Sequence, residues 1–155
     1  MSVTDELPPL PVLLLRARLA VASRYSRALR RHGLTEPQWR VLASVARHRF
    51  PDVASLARRL DLLSPSVSRI LRDLEARGLL RRAAGRADAR RTVATITPGG
   101  ADLIAEASAD MEPVHEAIRA QVGEEQVRDL QVALAQLIAV LRSEDAGAGE
   151  DRDAP

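Results

Sequence analysis

The sequence predicts a mainly α-helical fold that contains one small β-hairpin, arranged as a winged helix-turn-helix with additional helices at both ends. Apolar residues recur at helical spacing through most of the 155 residues, which indicates amphipathic helices. Between Leu56 and Gly100, two short amphipathic segments flank a tight turn, and two strand candidates with an Arg-rich loop follow them. That order of elements is typical of a winged helix-turn-helix.

Two helices are predicted in the N-terminal third of the chain. The first spans Leu10 to Arg31 and ends at Gly33, which suits the left-handed conformation that follows many helices. The second begins at Thr35, because Thr35 and Gln38 form a T-x-x-Q capping box. Its predicted inward face consists of Trp39, Leu42, Ala43 and Ala46.

Two shorter helices joined by a tight turn form the next predicted segment. Asp52 is a candidate cap for the third helix. Ser64-Pro65 starts the fourth helix, since Ser caps helix N-termini and Pro suits the first turn, and Gly78 ends it. The inward positions of these two helices are Leu56, Ala57, Leu60, Val67, Ile70, Leu71 and Leu74.

A hairpin and two long helices complete the predicted fold. The strand candidates are Leu79–Arg82 and Thr92–Ile96. Thr97-Pro98 starts the next helix by the same capping logic as Ser64-Pro65. Pro113 predicts a kink or a break in that helix, because proline removes a backbone hydrogen bond.

The composition excludes several classes of protein. The chain has no cysteine, which excludes disulfides, thiolate metal sites and thiol redox chemistry. No apolar run approaches the roughly 18 residues of a membrane span. The acidic N-terminal sequence MSVTDEL is unlike a signal peptide, so we expect a cytoplasmic location and no membrane partner. The three histidines lie on separate segments and no phosphate-binding loop is present, so we expect neither enzyme activity nor a cofactor.

Charge is distributed unevenly along the chain, although the net charge is only +2. Residues 58–91 contain ten Arg and four acidic residues, whereas residues 101–155 contain four Arg and thirteen acidic residues. A basic middle beside an acidic end orients a molecule on a polyanion. Together with the winged helix-turn-helix pattern, this charge distribution leads us to expect double-stranded DNA as a partner.

The helices at both ends carry more apolar surface than one small winged module can cover. A monomer would leave this surface in water, so we expect a homodimer formed by both ends of the chain. A self-contained helical bundle is the alternative. The predicted regions are an N-terminal dimerisation helix (1–33), a DNA-binding lobe (34–97), C-terminal dimerisation helices (98–142) and a polar, disordered tail (143–155).

The outward face of the fourth helix is the candidate DNA-reading surface. Hydroxyl groups can meet phosphates or base edges, and Arg can bind guanine O6 and N7 with two hydrogen bonds. Free N–H groups at a helix start also favour phosphate. The candidate contacts on this helix are Ser64, Pro65, Ser66, Ser68, Arg69 and Arg72. At the end of the preceding helix, Arg58 and Arg59 are candidate contacts to the DNA backbone.

Two segments of the chain resemble the MarR family of winged helix-turn-helix regulators. LARRLDLLSPSVSRILRDLEARGLLRR is similar to the helix-turn-helix of the family, and ADARRTVATITPGG is similar to its wing and the exit from it. The resemblance implies a homodimeric transcriptional repressor that binds a pseudo-palindromic operator. It also implies that the flanking helices form the dimer.

The wing signature of the family, D-x-R, corresponds to Asp88-Ala89-Arg90. The resemblance implies that Arg90 enters the minor groove and that Asp88 fixes the arginine. Such an insertion is physically reasonable, since a narrow A·T minor groove attracts Arg. Gly85 permits the tight turn, and Arg86 and Arg91 add to the basic surface.

RHGLTEPQWRVL and LLSPSVSRIL are similar to the subgroup of the family that regulates aromatic-acid catabolism. This resemblance implies that Arg18 binds the carboxylate of a small aromatic effector, close to Trp39 and Arg40. Arg suits such an acid, because it pairs in a bidentate manner and stacks on rings. Two alternatives remain, namely that Arg18 pairs with an acid of the partner chain and that Trp39 belongs to the core.

Two other functions are compatible with the same fold. A winged helix can bind protein instead of DNA, although such a wing would not need three arginines (Arg86, Arg90 and Arg91) together. A metal-responsive regulator without cysteine would use His115 with Glu112 and Glu116. Groupings of this kind arise by chance on acidic helices, so we expect no metal site.

Overall fold

The computed structural model describes residues 7–85 and 92–150. Within these ranges the chain forms six helices and one antiparallel pair of strands, which confirms the predicted fold class. The elements are α1 (Leu10–Arg31), α2 (Glu36–Arg47), α3 (Val53–Leu60), α4 (Ser64–Ala76), β1 (Leu80–Ala84), β2 (Thr92–Ile96), α5 (Pro98–Val122) and α6 (Glu124–Glu150). The chain divides into two compact units between Glu112 and Pro113.

Side-chain caps start three of the helices as the sequence predicts. Thr35 and Gln38 form a complete capping box, in which the Thr35 N–H donates to Gln38 Oε1 at 2.8 Å. Asp52 Oδ1 accepts from the Ser55 N–H at 2.7 Å and starts α3. Thr97 Oγ1 accepts from the Gly100 N–H at 3.1 Å at the start of α5. These bonds satisfy N–H groups that the helices themselves leave unpaired.

The start of α4 differs from the prediction in one respect. Ser64 is the first helical residue and not the cap, because Leu63 occupies the cap position with extended backbone angles and no side-chain hydrogen bond to the helix. Pro65 therefore lies at the second helical position, where its missing N–H costs no hydrogen bond. The Ser64 hydroxyl is consequently not used to cap the helix.

The hydrophobic core of the first unit lies where α2, α3, α4 and the hairpin meet the ends of α1 and α5. The largest fully buried side chains are Leu29, Leu34, Val41, Leu42, Leu56, Val67, Leu71, Leu74 and Leu80. The predicted inward face of α2 is partly wrong: Ala46 is exposed, whereas Val41 and Val45 are buried. The reason is that α2 packs against both α4 and β2, so its buried stripe is wider and centred elsewhere.

The two strands pair in antiparallel register from Leu80 opposite Ile96 to Ala84 opposite Thr92. The first strand starts one residue later than predicted, because the Leu79 N–H donates to the Leu74 carbonyl oxygen at 3.0 Å and so belongs to the end of α4. Gly78, at φ +72°, makes this helix ending possible. The hairpin thus follows directly from the reading-helix candidate.

The C-terminal helices are longer than the sequence predicts. α5 continues through Pro113 without a break. α6 extends to Glu150, into the segment that the sequence predicts to be disordered. In the described parts of the chain, no helix has an apolar stretch long enough to cross a membrane.

Candidate nucleic-acid interface

The outer side of α4 is polar, whereas its inner side is fully apolar. Val67, Leu71 and Leu74 are at most 1% exposed and form part of the core. The predicted contacts on the opposite side are exposed (Ser64, Pro65, Arg69 and Arg72) or half-buried (Ser66 and Ser68). The burial of one side therefore fixes which side chains α4 presents to a partner.

The arginines beside this surface have no carboxylate partner among the described residues. Arg58 and Arg59 are exposed in the last turn of α3, and Arg69 is exposed on α4. Arg72 donates through Nε to the Ser68 carbonyl oxygen at 3.4 Å, so its side chain follows its own helix. An arginine without an internal partner keeps its donors for an external acceptor.

The turn between α3 and α4 is held by an arginine of α2. Asp61, the C-terminal cap of α3, adopts φ +49° in this turn. Arg40 donates through Nη2 to the Leu60 carbonyl oxygen, and its Nη1 lies 3.6 Å from a Glu36 carboxylate oxygen. Arg40 therefore satisfies a carbonyl at the end of α3, a contact that the sequence does not predict.

One ion pair joins the last turn of α4 to the hairpin. Arg82 Nε donates to Glu75 Oε2 at 2.7 Å, and the Arg82 backbone N–H donates to Glu75 Oε1 at 2.9 Å. These hydrogen bonds hold the pKa of the Glu75 carboxyl below its ordinary value of 4.5, the side-chain bond contributing most. The pair fixes the first strand of the hairpin against the reading-helix candidate.

A second set of bonds joins the end of α4 to α1 and α5. Arg77 donates through Nη1 to the Gly33 carbonyl oxygen at 3.0 Å and through Nη2 to the His32 carbonyl oxygen at 3.4 Å. His32 Nε2 lies 3.1 Å from Asp110 Oδ2, and its Nδ1 lies 3.9 Å from Glu106 Oε2. The segment after α1 is therefore a junction of three helices.

The predicted wing contacts cannot be placed. Arg86, Asp88, Arg90 and Arg91 lie outside the described residues, and their roles stay predictions. The described strands end at Ala84 and resume at Thr92.

The predicted ligand contacts occupy different environments. Arg18 is exposed on α1, whereas Trp39 is half-buried and packs against the core. The Arg40 guanidinium contacts the Leu60 carbonyl oxygen and the Glu36 carboxylate. No hydrogen bond connects the three side chains within the described ranges. Their role in binding an effector stays a prediction.

The metal-binding alternative finds no support in the described parts of the chain. There, no group of three or more His, Asp or Glu side chains could hold a metal ion. His115, Glu112 and Glu116 belong to the residues that were considered.

A short helix, a turn, an exposed reading helix and a hairpin define a winged helix-turn-helix protein. Residues 32–91 match the model of the MarR family. The chain is 34% identical over 131 residues to the homoprotocatechuate degradative operon repressor of Escherichia coli, covering 84% of this chain and 88% of that protein. The chain belongs to the MarR family, whose members are transcriptional regulators and not enzymes.

Solved structures agree with this assignment. The transcriptional regulator PA4135 superposes with a TM-score of 0.81 at 34% identity, covering 86% of this chain and 98% of that one. NadR in complex with 4-hydroxyphenylacetate superposes with a TM-score of 0.74 at 28% identity, covering 88% of this chain and 97% of that one.

Proposed function

We propose that this protein is a homodimeric repressor that binds a pseudo-palindromic DNA operator and is released from it by a small aromatic carboxylate. The observation that carries the DNA-binding part is the outer side of α4. There, Arg69 is exposed, has no described carboxylate partner and shares its helix with three hydroxyl side chains (Ser64, Ser66 and Ser68).

Different residues of this surface suit different parts of the duplex. Arg69 lies beyond the first turn of α4, and its planar guanidinium matches the paired acceptors of guanine in the major groove. Arg58 and Arg59 precede the turn and suit the phosphate backbone, which positions the protein without reading sequence. The Ser64 hydroxyl, which does not cap the helix, is available for a phosphate or a base edge.

Exposed apolar side chains on α1 and α6 support the dimer. On α1, Leu10, Leu15 and Leu19 are each more than half exposed. The corresponding residues of α6 are Leu130, Val132, Val140 and Leu141. Apolar surface exposed along a helix is unfavourable in water, and a second copy of the chain offers the same surface in return.

Two relatives support the proposed class of effector. The repressor from Escherichia coli is named for the degradation of homoprotocatechuate, an aromatic carboxylate, and the NadR structure contains 4-hydroxyphenylacetate. Arg18 on α1, with its exposed guanidinium, is the proposed carboxylate contact, with Trp39 and Arg40 near the ring. The ligand releases DNA only through its higher affinity for the released arrangement, commonly by about 1–3 kcal/mol of coupling.

Fluorescence anisotropy with the duplex adjacent to the gene tests the DNA-binding part. We expect binding that resists nonspecific competitor and weakens steeply as salt increases, because counterions return to the phosphates. Binding that competitor DNA abolishes at low salt would contradict the proposal and favour a protein-binding winged helix. Addition of 4-hydroxyphenylacetate to the same complex then tests release.

A further inference from the structure

An open groove of about 340 Å³ lies between the end of α2 and the second strand of the hairpin. Residues 45–50 form one wall, and residues 94–96 of β2 form the other. This groove is separate from the outer side of α4 and from Arg18. Its volume is at the small end of the range for ligand sites, roughly 300–1,000 Å³, which suits a molecule with one ring.

The charge of the groove favours an anion. Two arginines, Arg47 and Arg49, flank His48 in one wall, and no acidic residue is among the described residues that line the groove. Arg47 and Arg49 are exposed, and neither forms an ion pair within the described ranges. A small carboxylate placed between them would gain charge-assisted hydrogen bonds without displacing a described carboxylate partner.

Phe50 is the second unusual feature of the groove. Its backbone adopts φ +52°, and its side chain is 49% exposed. A bulky residue in this left-handed region costs on the order of 1–3 kcal/mol, and such strain is concentrated at ligand sites. The Arg49 guanidinium lies over the Phe50 ring, and its Cζ is 5.4 Å from the ring centroid. Neither the backbone nor the core requires a phenyl ring here.

We propose that this groove binds a small carboxylate that carries one aromatic ring. Arg47 and Arg49 pair with the carboxylate, and the ring packs against Phe50 and the apolar side chains of Val45 and Ile96. His48 Nδ1 is engaged with the Ser44 carbonyl oxygen at 2.9 Å. In the neutral imidazole Nδ1 then carries the proton, so Nε2 is an acceptor for a ring hydroxyl.

The position of the groove connects it to the hairpin. The Ala94 N–H donates to the Pro51 carbonyl oxygen at 3.0 Å, and Asp52 forms an isolated bridge with Val93. A ligand in the groove therefore contacts the strand that follows the predicted DNA-binding loop. Any effect of this ligand on DNA binding rests on the proposed function, whereas the ligand site itself does not.

The test is a titration of the full-length, ¹⁵N-labelled protein with 4-hydroxybenzoate, followed by NMR. We expect the largest amide shifts at residues 45–50 and 94–96. Phe50→Asn removes the ring but tolerates a positive φ, so it should leave the melting temperature unchanged or raised. Its affinity for 4-hydroxybenzoate should nevertheless fall about tenfold, the loss of roughly one aromatic contact of 1.4 kcal/mol.

The double variant Arg47→Ala/Arg49→Ala should lose 4-hydroxybenzoate binding, whereas the matched control Arg30→Ala, an exposed arginine of α1, should retain it. Shifts that are confined to the surroundings of Arg18, with none at residues 45–50 and 94–96, would overturn the proposal. Displacement of 4-hydroxybenzoate by inorganic phosphate at equal concentration would contradict the claim that the aromatic ring contributes to binding. Operator affinity without ligand is measured in parallel, so that a failure of DNA binding is distinguished from a failure of the groove.

Discussion

Arginines on the outer side of α4 differ from those near its C-terminal end. Arg69 has no described partner, and the described bond of Arg72 is to its own helix. Arg77 and Arg82 instead bond to the segment after α1 and to Glu75. Arginine side chains therefore serve two purposes within one short segment. Unpaired arginines are available for DNA, whereas paired ones hold the DNA-binding surface in place.

Replacement of an unpaired arginine gives the largest expected effect. Arg69→Ala should weaken operator binding by about 1–3 kcal/mol, and random DNA binding by less, because a base contact is lost. Thermal unfolding should be unchanged, since the side chain has no described internal partner. Anisotropy on the operator and on a scrambled duplex measures both affinities. An equal loss on both would make Arg69 a phosphate contact.

Replacement of a paired arginine should show the opposite pattern. Arg77→Ala removes the bonds to the His32 and Gly33 carbonyl oxygens, and we expect a loss of about 1–2 kcal/mol in the free energy of unfolding. Chemical denaturation checks this value. The matched control is Arg81→Ala, an exposed arginine of β1, which should cost less than about 0.5 kcal/mol. Equal losses would show that the Arg77 bonds contribute nothing.

Replacement of Arg58, another arginine without a described partner, should have a smaller effect on DNA binding. As a phosphate contact at the end of α3, Arg58→Ala should weaken binding to operator and random DNA alike and lower the salt slope by about 1. A salt series on both duplexes measures the slope. Loss of discrimination between the duplexes would instead assign Arg58 to base reading.

The pH dependence of the Glu75–Arg82 pair gives the smallest effect. Because hydrogen bonds from Arg82 lower the pKa of Glu75 in the folded state, the pair stabilises the fold above the unfolded pKa. This contribution is lost as pH falls through the folded pKa. Denaturation midpoints of wild type and Glu75→Gln should therefore differ at neutral pH and converge well below about pH 4. A difference that persists unchanged in acid would contradict the role of the carboxylate.

Local signals predict most of the fold. The capping box of Thr35 and Gln38, the Asp52 cap and the glycine after α4 each act within a few residues, and the structure confirms them. The start of α4 differs by one position, because Leu63 and Ser64 both precede a proline that fits the first turn. Pattern alone does not distinguish the two positions.

The arginine contacts could not be predicted because they join distant parts of the chain. Arg77 and Gly33 are separated by 44 residues, and Arg40 and Leu60 by 20. In the sequence, Arg40, Arg69 and Arg77 look alike, since each is an arginine in an amphipathic helix. Only tertiary packing reveals which guanidinium is already engaged.

The most direct test of this distinction is the ratio of operator to random-DNA affinity for Arg69→Lys, measured at one salt concentration. Lysine keeps the charge but loses the planar fork that pairs with guanine. If the unpaired arginine reads a base, random-DNA affinity should be retained and the ratio should fall by about tenfold, equivalent to 1.4 kcal/mol. An unchanged ratio would contradict a reading role for the outer side of α4.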